Sequence, residues 1–390
     1  MRSIRRPAAL AVAAVALVAF TGTACGPEDD NGDPNAAATA DDQIKLPSGF
    51  PTSLPSDLPS GLPTTAEELE KWKKGGWKDW ENWAREAAHF INPIIEDLWD
   101  QERAEGAEGN DKPVEEDIAA DQGATDPDPE PVRAVKVATP YTKTAPAAGK
   151  LFFDTPEGQG VCSATVVEDP AHPGKSNLVW TAGHCVHTGS KGGWLRNLMF
   201  APAYNNGALP RGSTATEEQI FPHGQWWVED AKTSDEWIAK GTETGANGAP
   251  YDFAVLKVKN PSGNGKSLEE TVGAALPIWF DAPFGSEIGQ IGNWGYPAAP
   301  PYDGVLMFGC EDTPGRLSLF QGQPTMHRIG CTMTGGSSGG GWYATGPDGK
   351  PALVSNTSIG PTENTWLAGP RLGKEAEALY KEMSKEHAGD

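Results

Sequence analysis

The chain has 390 residues, with 31 Lys and Arg against 53 Asp and Glu, so its formal net charge is −22 at pH 7. This length is enough for one large domain or two ordinary ones, each with its own core. No part of the sequence has the basic stripe that binds nucleic acid, so a nucleic-acid partner is not expected.

The first segment of the chain has the pattern of a secretory signal peptide. Its arginines form a basic n-region, and the apolar run from Ala8 to Phe20 is too short to span a membrane. Small residues follow this run, as a cleavage site requires. We therefore predict that residues 1–24 are a signal peptide and that the protein is exported.

Cys25 directly follows this signal and precedes a polar, acidic run. It resembles the lipid-modified N-terminal cysteine of a bacterial lipoprotein, although Gly22 stands where an aliphatic residue is usual. Simple cleavage after Ala24 would also fit the small-residue rule. We favour lipidation, with plain secretion as the alternative, and either places the protein outside a bacterium or on its surface. Membrane contact is expected only through that lipid.

Residues 25–64 are predicted to be a disordered spacer. Most of the acidity lies in the leading segment, since residues 26–132 hold 27 Asp and Glu against 8 Lys and Arg. The second part of the spacer repeats LPSG, FPTS, LPSD, LPSG and LPTT. A proline at every fourth position blocks helix and sheet pairing but suits an extended spacer.

Residues 65–104 are predicted to be helical, beginning at the capping box Thr65–Glu68. Large apolar residues recur at spacings of three and four: Trp77, Trp80, Ala84, Ala87, Ile91, Ile94 and Leu98. This amphipathic Trp77–Leu98 helix must pack on something, and we favour the same chain. A partner protein and a pro-segment role are the alternatives. Residues 105–147 return to acidic, Pro-rich sequence and are predicted to be a linker.

Residues 148–390 read as an all-β domain. Short apolar or β-branched runs are separated by Gly, Pro, Asn and Asp turns, which is typical of a sandwich or barrel. The predicted strands are Val161–Val167, Leu178–Ala182, Phe253–Val258, Gly289–Tyr296, Val305–Phe308 and Leu353–Thr357. Only Gly373–His387 reads as a helix.

Three motifs stand inside this β region in the order His, Asp, Ser. They are TAGHC ending at Cys185, YDFAVLKV with Asp252 opening an apolar strand, and TGGSSGGG with Ser338 at its centre. Together they resemble the chymotrypsin-fold (trypsin-like) serine peptidases, and most closely the bacterial glutamyl-endopeptidase-like branch. The segment GNWGYP ending at Pro297 is similar to a turn of that branch. The resemblance implies two packed six-stranded antiparallel β-barrels with a C-terminal helix and a polypeptide substrate.

The chemistry of these residue types agrees with that resemblance. A serine hydroxyl such as Ser338 needs a base within hydrogen-bond reach, and His184 can take and return its proton. A buried carboxylate, here Asp252, holds the imidazole in the required tautomer. The oxyanion of the tetrahedral intermediate needs preorganised N–H donors, which by resemblance are the backbone amides of Gly336 and Ser338.

With Cys25 set aside, four cysteines remain, enough for two disulfides in an oxidising compartment. The resemblance implies Cys162–Cys185, which would fix the histidine loop, and Cys310–Cys331.

The sequence departs from the family at two places. Ser337 stands where trypsin-like zymogens have an Asp that pairs with a new N-terminus. The enzyme is therefore either active once exported or held inactive by the helix around Trp77–Leu98. No Asp stands in the expected substrate pocket, so neutral or small residues are expected at the cut site. The pocket residues are predicted to be Thr332, Met333, Thr334, Ser355 and Asn356.

Two other functions use the same sequence features. A non-catalytic binding protein could keep the protease fold as a platform, but such copies usually lose the histidine or the serine. An esterase or transferase would use the same acyl chemistry, since fold and triad fix mechanism rather than substrate. No His, Cys and Asp cluster has metal-ligand spacing, so we expect neither a metal nor another cofactor.

Overall fold

The computed structural model describes residues 90, 92, 98–109, 112–114, 124–155, 158–242 and 245–390. The predictions for residues 1–24, Cys25 and the spacer 25–64 lie outside the described residues, as does most of the predicted Trp77–Leu98 helix.

Strands and short helices follow one another along the described residues. The helices are α1 (Gln101–Gly106), α2 (Tyr141–Thr144), α3 (Glu217–Ile220), α4 (Asp235–Lys240), α5 (Leu268–Val272) and α6 (Lys374–Glu386). The strands are β1 (Glu108–Gly109), β2 (Pro113–Val114), β3 (Val135–Lys136), β4 (Ala148–Asp154), β5 (Gln159–Val167), β6 (Leu178–Thr181), β7 (Arg196–Pro202), β8 (Trp226–Thr233), β9 (Ala254–Lys259), β10 (Ile291–Asn293), β11 (Phe308–Gly309), β12 (Glu311–Asp312), β13 (Gly315–Leu317), β14 (Met326–Gly330), β15 (Gly341–Thr345), β16 (Pro351–Asn356), β17 (Gly360–Pro361) and β18 (Trp366–Pro370).

The first half of the domain is a closed antiparallel barrel of six strands. Its order is β5-β4-β7-β8-β9-β6, and β6 pairs back onto β5. Side chains alternate across each strand, because successive residues point to opposite faces. On β4, Leu151 and Phe153 belong to the core inside the barrel, whereas Phe152 packs in a separate outer cluster with Trp99. The barrel therefore needs a second layer to cover its outer apolar residues.

The second half is also built of antiparallel strands around its own core, but its ladders do not close into one barrel among the described residues. They form a four-stranded sheet, β12-β10-β15-β16, and a three-stranded sheet, β13-β14-β18. The prediction of two six-stranded barrels is therefore met for the first half only. Prolines explain part of the difference, because the run from Pro297 to Pro301 follows the short strand β10 and proline donates no ladder hydrogen bond.

The residues before the barrels are packed rather than extended. Trp99 is fully buried, and its indole N–H donates to the carbonyl of Asn197 at 2.8 Å. Arg103 on α1 pairs with the buried carboxylate of Asp154 at 2.5 Å. The sequence predicted a linker over 105–147, yet β1 and β2 within it pair with strands of the main domain. The acidic composition of the segment did not predict these contacts, because only a few of its residues are apolar and make them.

The C-terminal helix α6 matches its prediction to within one residue at each end. It packs on the outside of the first barrel, where the Tyr380 hydroxyl donates to the carbonyl of Glu168 at 2.5 Å. In the part of the chain that the structure describes, no helix has the length and apolar character needed to cross a membrane.

Candidate active site

His184 lies in the short 3₁₀ turn Gly183–Cys185, directly after β6. The turn is tight against β8 and α4: a Cβ added to Gly183 would lie 2.6 Å from the Thr233 hydroxyl and 2.9 Å from the Trp237 ring, so only glycine fits there. The disulfide between Cys185 and Cys162 ties the turn to β5. These constraints hold the imidazole of His184 in a buried position.

Asp252 follows the 3₁₀ turn Ala249–Tyr251 and is fully buried. Its carboxylate accepts two hydrogen bonds from His184, one from the backbone N–H at 2.7 Å and one from Nδ1 at 2.7 Å. It also accepts a hydrogen bond from the hydroxyl of Ser358 at 2.5 Å. Burial alone would raise the pKa of Asp252, but His184, the Lys112 ammonium and the Ser358 hydroxyl hold that pKa below its ordinary value.

Ser338 lies on the loop between β14 and β15. Its carbonyl accepts a hydrogen bond from the backbone N–H of Ser163 at 2.7 Å. A Cβ on the next residue, Gly339, would lie 2.1 Å from the Thr181 hydroxyl and 2.9 Å from the backbone nitrogen of Ala182. The serine loop therefore packs directly against the end of β6, the strand that leads into His184.

The loop before Ser338 is held rigidly. Gly336 has a φ of +92°, a left-handed conformation that favours glycine. Its carbonyl accepts a hydrogen bond from the Ser163 hydroxyl at 2.9 Å. The hydroxyl of Ser337 donates to the carbonyl of Thr334 at 2.7 Å. The peptide units on either side of Gly336 are thus fixed in orientation before any ligand binds.

A cavity of about 150 Å³ lies beside Ser338. Of the predicted pocket residues, Met333 and Thr334 line it. The prediction differs from the structure for the other three. The Thr332 hydroxyl contacts the backbone N–H of Ala134 and the hydroxyl of Tyr302. Ser355 and Asn356 are turned into the interior by hydrogen bonds to the carbonyls of Pro370 and Asp252, respectively.

The second wall of the cavity lies slightly later in the chain than predicted, over residues 357–361. The sequence did not predict Ser358, whose hydroxyl donates a further hydrogen bond to the Asp252 carboxylate. A serine two residues after Asn356 carries no signal of its own. It also missed Lys112, which lines the same cavity although it lies far earlier in the chain.

Within the described ranges, one group of potential metal ligands comes together, namely Cys162, His184 and Cys185. The two sulfurs are bonded to each other in a disulfide, so they do not form a thiolate ligand set. The second disulfide joins Cys310 and Cys331, in the core of the second half. Both pairs are those that the family resemblance implies.

We compared the chain with family models, curated proteins and solved structures. No family model matches the chain. No curated protein matches it either. Among solved structures, the chain is similar to the thermostable serine protease AL20 from an extremophilic microorganism, with 33% identity, a TM-score of 0.50, and coverage of 62% of this chain and 98% of that one.

Two further structures are similar at lower scores. The protease Anisep from Arthrobacter nicotinovorans is 26% identical, with a TM-score of 0.49 and coverage of 65% of this chain and 99% of that one. A Glu endopeptidase is 16% identical, with a TM-score of 0.47 and coverage of 66% and 98%. The likeness to AL20 thus extends to sequence as well as fold, over nearly the whole of that protein.

Proposed function

The chain belongs to the chymotrypsin-fold serine proteases, and we propose that it is an exported endopeptidase that cleaves peptide bonds through an acyl-enzyme on Ser338. The observation that supports this proposal is the buried pair of His184 and Asp252 at the end of β6, against which the Ser338 loop packs. A nucleophile, a base and a group that orients the base are the parts that acyl transfer needs.

In the proposed reaction His184 takes the proton of the Ser338 hydroxyl as the serine attacks the substrate carbonyl. It then gives that proton to the leaving amine, which releases the first product and leaves the acyl-enzyme. Water, activated by the same imidazole, hydrolyses the acyl-enzyme. Asp252 stays ionised throughout and stabilises the imidazolium, and the Ser358 hydroxyl helps to hold the carboxylate in place.

The oxyanion formed in each step is bound by the backbone N–H groups of Gly336 and Ser338. Support comes from the fixed loop conformation, because donors that need no reorganisation stabilise the transition state best. Losing one such donor typically costs on the order of 100-fold in rate.

We also propose that the enzyme prefers an uncharged side chain at the cut site. Met333, Thr334 and Thr357 line the cavity beside Ser338, and none of them carries a charge. The charged residue that lines this cavity is Lys112, which comes from the segment before the barrels.

Export is the proposed route of the protein to its site of action. The basic and apolar pattern of residues 1–24 and the two disulfides support it, since disulfides persist in oxidising compartments. We propose that Cys25 carries a lipid anchor, with simple secretion as the alternative.

The proposed function is tested by incubating the full-length protein with a mixture of peptides for several hours and identifying the products by mass spectrometry. Wild type and the surface control Ser262→Ala should give the same cleavage products, and Ser338→Ala should give none. Cleavage that survives Ser338→Ala would contradict the mechanism. Turnover of esters but not of peptides would favour the esterase alternative.

A further inference from the structure

A short segment from before the barrels lies in the groove of the proposed active site. Its described residues are Glu108–Gly109 and Lys112–Val114, which we call the strap. β1 of the strap pairs with Gly160–Val161 on β5, and β2 pairs with Gly360–Pro361, which is β17. Both pairings are parallel.

These two strand edges flank the serine loop. β5 contains Ser163, whose backbone N–H donates to the carbonyl of Ser338. β17 begins two residues after Ser358, which donates to the carboxylate of Asp252. An extended peptide binds a protein by adding a strand to such an edge. A substrate crossing the serine would therefore need the edges that the strap occupies.

Gly109 brings the strap against the proposed oxyanion loop. A Cβ on Gly109 would lie 2.6 Å from the carbonyl carbon of Gly335 and 2.9 Å from the backbone nitrogen of Gly336. The strap backbone therefore lies directly on the peptide unit whose N–H is proposed to bind the oxyanion. A substrate that brings its carbonyl to this N–H would approach the same peptide unit as the strap.

Lys112 places a buried cation beside the histidine and aspartate. It is 3% exposed, and its ammonium lies 4.2 Å from the centre of the Trp237 ring and donates to the carbonyl of Asn247 at 3.3 Å. The Trp237 ring in turn lies 6.2 Å from the His184 ring. Lysine is almost never fully buried without a partner. The contacts of Lys112 therefore indicate that its side chain has a specific binding position in the fold.

Val114 and Pro113 hold the end of the strap. Val114 is 4% exposed and packs in an apolar cluster with Ile359 and Trp366. The carbonyl of Pro113 accepts a hydrogen bond from the backbone N–H of Gly245 at 3.0 Å. Upstream, the pair between Arg103 and Asp154 fixes α1 to the barrel. The strap is thus anchored on both sides of the groove.

From these contacts we infer that the strap is an internal inhibitor: it occupies the substrate groove in most molecules and blocks access to Ser338 until it is displaced. This inference rests on the proposed function, because it concerns access to the same serine. It assigns the inhibition to Gly109 and Lys112–Val114, not to the Trp77–Leu98 helix considered from the sequence. Only the fraction of molecules with an open groove would react with substrate, so the apparent activity falls to that fraction of its full value.

The test compares full-length proteins by their rate of reaction with a small fluorophosphonate at Ser338 and, in separate samples that have not met this reagent, by their rate of hydrolysis of a peptide substrate. Val114→Asp places a carboxylate in the apolar cluster and should release the strap. Val135→Asp makes the same change at a position that is 66% exposed and serves as the control. Gly109→Ala adds a Cβ that would lie 2.6 Å from the carbonyl carbon of Gly335, so the strap must move away from the serine loop. Thermal unfolding checks that each variant is folded.

We expect Val114→Asp and Gly109→Ala to react at least about tenfold faster than wild type, with Val135→Asp unchanged. If all four folded proteins react at one rate, the strap does not inhibit, although Ser338 remains a nucleophile. If none of them reacts, the proposed function itself is wrong, and the inhibitory role falls with it. If Val114→Asp fails to fold, the rate of Gly109→Ala decides the question.

Discussion

The carboxylate of Asp252 accepts hydrogen bonds from the backbone and the ring of His184 and from the hydroxyl of Ser358. The two bonds from His184 fix both the position of its turn and the tautomer of its ring. The N–H of Nδ1 donates its hydrogen bond to the carboxylate, so Nε2 is the nitrogen that can exchange a proton with a serine.

Replacing Asp252 with Asn should preserve the shape of the site but remove the negative charge and favour the wrong tautomer. We expect a fall in peptide hydrolysis on the order of 10⁴-fold. The half-exposed Asp281, which pairs with Arg371, provides a matched control as Asp281→Asn. A loss of similar size in both variants would mean that the effect is structural rather than specific to Asp252.

Lys112 makes the strap sensitive to pH. Burial lowers the pKa of Lys112 from its ordinary value of 10.5 to about 8, against an opposing effect of the Asp252 carboxylate. Between these two pH values the docked strap holds fewer protons than the released one, so docking strengthens as pH rises from about 8 towards 10.5. As the pH rises through this interval, the rate at which wild type reacts with the fluorophosphonate should therefore fall relative to the rate for Lys112→Met, whose side chain does not titrate. A constant ratio from pH 7 to pH 10 would refute this dependence.

The sequence predicts residues of the proposed site where chemistry leaves a local pattern. His184, Asp252 and Ser338 each stand in a recognisable motif, and the described geometry brings the first two into direct contact. Ser358 and Lys112 could not be predicted in the same way. Each matters only because the fold brings it to Asp252 or to the cavity, and neither has a distinctive sequence neighbourhood.

At the scale of elements, strands were predicted well where apolar runs end at clear turns. The predicted strand Leu178–Ala182 is one residue longer than β6, and Val161–Val167 lies within β5. The run Val305–Phe308 contributes only its last residue to a strand. Its first residue lies in a turn, where the backbone N–H of Val305 donates to the side chain of Asp303. A local side-chain hydrogen bond of this kind competes with the strand ladder.

The two disulfides brace different elements, which gives a further prediction. Cys162–Cys185 and Cys310–Cys331 enclose loops of similar length, with sequence separations of 23 and 21 residues. Replacing either pair with alanines should lower the free energy of unfolding by about 2–4 kcal/mol in urea titrations. Peptide hydrolysis should fall more for the first pair, because Cys185 adjoins His184. Equal losses of activity would show that the first disulfide has no special effect on the histidine turn.

At the scale of the whole molecule, the barrel of the first half and the sheets of the second half meet at the serine loop. Ser163 belongs to the barrel, and its backbone and hydroxyl donate to the carbonyls of Ser338 and Gly336, respectively. Relative movement of the halves would therefore disturb both the nucleophile and the proposed oxyanion donors.

From the sequence, the chain before the β region was expected to be a spacer, an amphipathic helical segment and a linker. Composition averages over many acidic residues, whereas docking depends on a few contacts such as those of Trp99, Lys112 and Val114. Pairing of β1 and β2 with distant strands is a long-range property that no local pattern encodes. For the same reason, regulation was harder to predict here than catalysis.

The role of Ser338 is best tested by the intact mass and peptide map of the full-length protein after prolonged reaction with a fluorophosphonate. We expect a single phosphonyl adduct on Ser338, present in wild type, in Ser262→Ala and in Val114→Asp, and absent from Ser338→Ala. An adduct on another residue, or none in any of these proteins including Val114→Asp, would contradict a serine protease mechanism centred on Ser338.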